Sequence, residues 1–95
     1  MISKHRKLLT IVTEAALENE IVREIERLGA HGYTITDARG KGDRGIRDGG
    51  WERSANIRIE VISASETTHV IAVALREHYY DNYAMILYIG DVEVL

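Results

Sequence analysis

The sequence predicts an α+β sandwich in which two helices cover one face of a four-stranded antiparallel sheet, in the order β-α-β-β-α-β. Three observations carry this. Four short runs rich in Val, Ile, Leu and Thr alternate with two longer runs whose apolar residues recur every three or four positions. Each junction carries a helix-start, glycine or Asp-Asn signal. A long stretch, residues 39–53, joins the second and third strand runs and holds five of the chain's eight glycines.

The first run, residues 8–13, is short, apolar and β-branched, as a strand should be. Thr13 is placed to cap the helix after it. In that helix Leu17, Ile21, Ile25 and Leu28 share one face, while Glu18, Arg23, Glu26 and Arg27 lie off it. Gly29 suits the residue just past the helix end. Ala30-His31-Gly32 then turns the chain into a second strand, residues 33–38. The third strand, residues 55–62, alternates Ile57, Ile59 and Val61 with polar neighbours. Ser63 and Glu66 have capping-box spacing, so a second helix is expected from there to about Tyr80, with Val70, Ile71, Ala74, Leu75 and Tyr79 available to the core. Asp81-Asn82 breaks it. The fourth strand covers residues 84–89, and residues 92–95 either extend the sheet or begin an arm. This order is the split β-α-β, or ferredoxin-like, arrangement.

Two helices cover one face of such a sheet. Yet residues 8–12 and 85–89 are apolar on both strand faces. The second face therefore calls for a partner, and a homo-oligomer assembled through the sheet is the expectation.

Composition narrows the function. Ninety-five residues suit a single domain spanning 1–95. With no cysteine, disulfides, thiol redox chemistry and thiolate metal sites are excluded. The basic start is followed by too short an apolar run for a signal peptide, and no segment reaches membrane-spanning length, so a cytoplasmic protein without direct membrane insertion is expected. A net charge of −3 argues against general nucleic-acid binding. The third strand also lacks the exposed aromatics of an RNA-recognition motif, and Glu60 would repel phosphate. His5, His31, His69 and His78 lack metal-ligand spacing, and no serine, histidine and aspartate set has a nucleophile's local context. Glu14 sits where an acylphosphatase-like enzyme would cradle phosphate. No catalytic residue, metal or cofactor is expected.

The 39–53 stretch stands apart. It carries five Lys/Arg against three acids in an otherwise acidic chain. A connection of this length in a small domain is usually functional. Closely spaced glycines let backbone N–H groups converge on an anion, and Arg supplies fork-shaped donors. It is not a Walker A loop, because Gly40-Lys41-Gly42 lacks the spacing and joins two strands.

Gly29-Ala30-His31-Gly32-Tyr33-Thr34-Ile35-Thr36, Gly40-Lys41-Gly42-Asp43-Arg44, Asn56-Ile57-Arg58-Ile59-Glu60-Val61 and Tyr79-Tyr80-Asp81-Asn82-Tyr83-Ala84-Met85 occur in that order. Together with Leu9-Thr10-Ile11-Val12-Thr13-Glu14 they resemble the PII signalling superfamily over nearly the whole chain. The details are most similar to the SbtB-like and carboxysome-associated PII-like carbon regulators. The resemblance implies a ferredoxin-like homotrimer that binds adenine nucleotides between subunits. It also implies that residues 39–54 are the T-loop, which contacts a regulated target.

By the same resemblance, Thr34 lies near the adenine edge, and Glu60 and Ile62 line the base and ribose pocket. Gly40, Lys41 and Gly42 form the loop base near the phosphates. Arg44 and Arg47 reach phosphate or another anion. Lys41, Gly42, Arg44 and Arg47 would also serve bicarbonate, and Trp51 would contact the partner. Nitrogen-sensing PII proteins carry a Gly-Asp-Gly-Lys phosphate loop before the last strand, where this chain has Tyr80-Asp81-Asn82-Tyr83-Ala84-Met85. They also carry arginines beyond that strand, which residues 90–95 lack. These departures favour AMP or ADP over ATP, with cyclic AMP a further candidate. The loop has no tyrosine for uridylylation, and without cysteine the redox role of the SbtB extension is not transferred. The expectation is a non-enzymatic regulator whose target is a bicarbonate transporter or a carboxysome-associated protein. The alternative is a trimeric small-anion or metal-binding stress protein of the CutA type.

Overall fold

The computed structural model describes residues 3–40 and 56–95. Strand β1 (Lys4–Glu14) runs through a 3₁₀ turn (Ala15–Leu17) into helix α1 (Glu18–Arg27). Strands β2 (Thr34–Ala38) and β3 (Asn56–Ser63), helix α2 (Ser65–Tyr79) and strand β4 (Met85–Val94) follow. The sheet order is β2-β3-β1-β4, with every neighbouring pair antiparallel. This is the α+β, ferredoxin-like sandwich expected from the sequence.

One sheet face presents Leu9, Ile11, Ile57, Ile59, Val61 and Met85 to Leu17, Ile21 and Ile25 of the first helical segment and Ile71, Leu75 and Tyr79 of α2. These side chains form one buried core. Burying a large aliphatic side chain contributes about 1.5–3 kcal/mol, so this face anchors the fold.

Gly29 ends α1 as expected. Its φ is +112°, and it donates to Glu26 O at 3.1 Å while Ala30 donates to Ile25 O at 2.9 Å. The two bonds make a Schellman cap.

Both expected side-chain caps at helix starts are absent. Thr13 belongs to β1, and its Oγ1 donates to Ala84 O at 2.8 Å, so it holds the turn before β4 instead of α1. Ser63 ends β3, Ala64 is the residue before α2, and the Ser63 hydroxyl bonds Thr68 Oγ1 at 2.6 Å. Thr68 itself donates to Ala64 O at 2.9 Å. Val70, expected in the core, is exposed. The buried stripe of α2 is Thr68, Ile71, Leu75 and Tyr79, and Val70 lies about 100° away from Ile71 around the helix.

The outer strands are longer than the apolar runs suggested. β1 begins at Lys4 and β4 continues to Val94, so residues 92–95 mainly extend the sheet. Lys4, His5 and Arg6 pair only with β4, giving a two-stranded ribbon beyond the sandwich. Cross-strand polar contacts join it: Lys7 pairs with Asp91, and Ser3 Oγ donates to Glu93 at 2.6 Å. The hydrogen bond and charge of Lys7 hold the Asp91 carboxyl below its usual range. Among the described residues, no helix is long and apolar enough to cross a membrane.

Candidate functional site

The sheet face opposite the helices is built by register. Thr34, Glu60, Thr10 and Tyr88 form one row across the four strands, and Thr36, Arg58, Val12 and Ile86 form the next. Directly paired residues share a face, so all eight project away from the core. Thr10 is nevertheless buried, whereas Tyr88 is exposed. Arg58 Nε and Glu60 Oε2 are 3.8 Å apart, too far for a strong hydrogen bond, and both side chains meet solvent.

At one end of this face, Gly32, Tyr33, Thr34, Glu60 and Ile62 line a hollow of about 250 Å³. The short turn after α1 delivers Gly32 and Tyr33, and the β2–β3 register brings Thr34 opposite Glu60. Strand alternation then puts Ile62 on the same face, where it is 51% exposed. The hollow thus offers an apolar wall, a hydroxyl and a carboxylate acceptor. Such a lining suits a flat heterocycle bearing an amine.

The structure therefore brings together three residues singled out from sequence: Thr34, Glu60 and Ile62. Gly40 is exposed just past β2 and does not line the hollow. Lys41, Gly42, Arg44, Arg47 and Trp51 lie outside the described residues.

The sequence reading missed a clamp at the start of β4. Thr13 Oγ1 takes the Ala84 carbonyl, and the Ala84 N–H donates to Glu14 Oε2 at 2.9 Å. Consecutive residues at the end of β1 thus occupy both backbone polar groups of Ala84. Only the β1–β4 register, which sets Thr13 opposite Met85, could have revealed it.

A second hollow, of about 380 Å³, lies between α2 and β4, with Arg76, Tyr80, Leu87 and Tyr88 in its lining. Tyr80 Oη there accepts a 3.0 Å bond from the Leu87 N–H, occupying one outward group of the edge strand. Two histidines are engaged locally: His69 Nδ1 lies 2.8 Å from Ser65 O, and His78 Nδ1 lies 2.7 Å from Glu24 Oε1. Among the described residues, no group of three His, Cys, Asp or Glu side chains could hold a metal.

A family model, nitrogen regulatory protein P-II, matches residues 6–95. The chain belongs to the PII family. Its fold is also that of solved PII-like structures. A PII-like signalling protein from Thermus thermophilus is 45% identical, with a TM-score of 0.85 over 100% of this chain and 94% of that one. CPII from Thiomonas intermedia K12, a nitrogen regulatory PII-like protein solved with ADP, AMP and bicarbonate, is 22% identical. Its TM-score is 0.82 over 99% of this chain and 97% of that one. The B. subtilis GlnK–ATP complex is more distant, at 13% identity and a TM-score of 0.63 over 97% and 85%. At these lower identities the likeness concerns the fold.

Proposed function

We propose that this PII-family chain is a non-enzymatic regulator that binds AMP or ADP, with bicarbonate as a second ligand, in clefts between the subunits of a homotrimer. The observation that carries the reading is the meeting of Thr34, Glu60 and Ile62 at one hollow on the uncovered sheet face. Ile62 offers a surface for the base, while Thr34 and Glu60 offer polar groups to its edge or to the ribose. A half-open hollow on an exposed face leaves one side of a base uncovered, which is why a neighbouring subunit belongs in the reading. The half-buried Leu8, Val12 and Ile86 and the exposed Tyr88 give that neighbour an apolar contact.

In this mechanism the hollow reads the base and the basic T-loop, residues 39–54, reads the charge. Anions satisfy the backbone amides of Gly40–Gly42 and the side chains of Lys41, Arg44 and Arg47. Loop geometry then changes what Trp51 and its neighbours dock against. The co-occurrence of ADP, AMP and bicarbonate in CPII supports this ligand set. A regulated partner in inorganic-carbon uptake or fixation, in the cytoplasm, completes the proposal. No observation favours the CutA-type alternative.

Calorimetric titration with AMP, ADP, ATP, cyclic AMP and GDP, alongside sedimentation analysis, tests the reading. Adenine-selective binding at one site per subunit of a trimer is expected. A stable monomer, or equal affinity for ADP and GDP, would overturn it.

A further inference from the structure

Strand β4 lies at the edge of the sheet: it pairs with β1 on one side and, among the described residues, with no strand on the other. The Leu87 N–H points outward to Tyr80 Oη at 3.0 Å, so Leu87 holds a position whose backbone groups face away from β1. Backbone direction alternates along an antiparallel strand, and Ile89 therefore turns its N–H and C=O outward as well. No backbone group among the described residues bonds them. A row of this kind is a template for another strand.

Tyr80 blunts this edge at Leu87. Alongside it lies the hollow of about 380 Å³ whose other wall is α2, where Ala72, Val73 and Arg76 share one helix stripe with Tyr80. Because α2 turns back directly into β4, the two run in opposite directions. Four residues of helix and two of strand each advance about 6 Å, so Arg76 stands near the level of Ile89, as Tyr80 does near that of Leu87. Arg76 is exposed and makes no ion pair among the described residues. No acid lies three or four positions from it along α2.

One wall of this groove is an unpaired strand edge, and the other carries small apolar side chains and a lone guanidinium. An extended peptide meets both: its backbone pairs with the edge, and a carboxylate reaches the arginine. Tyr80 decides where that carboxylate belongs. A strand laid beside Ile89 meets the occupied Leu87 N–H and must stop there. Antiparallel pairing is the more stable arrangement, and it brings the peptide's C-terminus to that blocked end. We propose that the groove takes the C-terminal tail of a partner protein as a fifth strand beside β4, with the terminal carboxylate on Arg76 and an apolar side chain against Ala72 and Val73. The inference stands apart from the nucleotide reading. The α2 wall lies away from the proposed subunit contact, and Tyr88 is the one lining residue shared with it.

The test pans a display library of random C-terminal heptapeptides on the full chain. The enriched peptide is then made with a free carboxylate and with an amide end, and each is titrated by fluorescence anisotropy. The amide should bind roughly tenfold more weakly, the effect of losing one charge-assisted hydrogen bond. Arg76→Gln should weaken the free acid by about the same factor and abolish the difference between acid and amide. Ile89→Pro removes an outward N–H without removing a ladder bond to β1, so it should fold and lose the peptide. Methylating the peptide's backbone nitrogens one at a time should weaken binding at alternate positions, which reads the strand pairing even if that variant does not fold. A library that yields no binder overturns the proposal. So does a peptide that binds equally as acid and amide, one indifferent to Arg76→Gln, or one that tolerates methylation at every position.

Discussion

Tyr79 Oη donates a 3.1 Å hydrogen bond to Glu20 Oε1 and so fastens the last turn of α2 to the first turn of α1. The two helices are otherwise joined on this side by His78 Nδ1 and Glu24, at 2.7 Å. Burial, and then the hydrogen bond and charge of Glu20, push the Tyr79 hydroxyl up to about 12.

Tyr79→Phe should preserve the edge-on contact with Tyr83, whose ring centroid lies 5.7 Å away, and remove only the hydroxyl. A loss of about 1 kcal/mol in urea denaturation is expected, since Glu20 is exposed and can turn to water. The alkaline limb gives a second readout. Below pH 10 the phenol is neutral in both the folded and unfolded states. Between pH 10 and about 12 the unfolded chain loses its proton first, so unfolding becomes easier as pH rises. The Phe variant should show a shallower fall in stability across that window. Parallel curves for the two proteins would rule out the linkage.

Gly29→Ala should cost about 1–3 kcal/mol, the scale for holding a non-glycine residue at positive φ. Crowding is not the cause, since an added Cβ would meet Thr67 Cγ2 at an ordinary 3.5 Å. Thermal melting of this variant should therefore drop without repacking of the core. A melting temperature equal to wild type would mean that the turn rebuilds itself around the new residue.

Gly29 was readable from sequence because the requirement is local: a helix whose apolar face ends at Leu28 needs a residue that tolerates φ > 0. The buried face of α1 was readable for the same reason. Thr13 and Ser63 were misread because each hydroxyl has a competing acceptor that is distant in sequence or one turn away, Ala84 O for one and Thr68 for the other. The extra length of β1 and β4 was hidden because the ribbon is held by polar pairs such as Lys7–Asp91, which leave no apolar pattern. At the candidate site, resemblance pointed to Thr34, Glu60 and Ile62, and the register of β2 and β3 explains how they meet. The burial of Asn56 at the start of β3, where it is only 2% exposed, gave no signal at all, since one polar residue at a strand start is unremarkable in the sequence.

The two faces of β1 should separate folding from assembly. Ile11 is fully buried against the helices, and Val12, its neighbour, lies half-buried on the other face. Ile11→Asp should unfold the chain, because an unpaired charge in the core has no compensating contact. Val12→Asp should leave the far-ultraviolet circular dichroism native and, in the proposed assembly, give monomers where wild type sediments as a trimer. A trimeric Val12→Asp protein would mean that the open face is not the assembly surface.

Base and charge should be read by separable parts of the proposed nucleotide site. In the proposed mechanism Arg44 and Arg47 reach the phosphates, so Arg44→Ala and Arg47→Ala should each weaken ADP by about 1.5–3 kcal/mol, the scale of a charge-assisted hydrogen bond. AMP, with one phosphate fewer, should lose less. Affinity in wild type should fall with salt, and the double arginine variant should show a flatter dependence, because fewer charges remain to be screened. Thr34→Val keeps the shape of the hollow wall and removes its hydroxyl. It should leave the salt dependence alone and narrow the gap between ADP and GDP, since the two bases differ in the edge group that a hydroxyl can bond. Calorimetric titration of both nucleotides at two salt concentrations distinguishes these effects. If the arginine variants bind ADP as wild type does, the T-loop is not the phosphate site, and its basic residues serve partner docking alone.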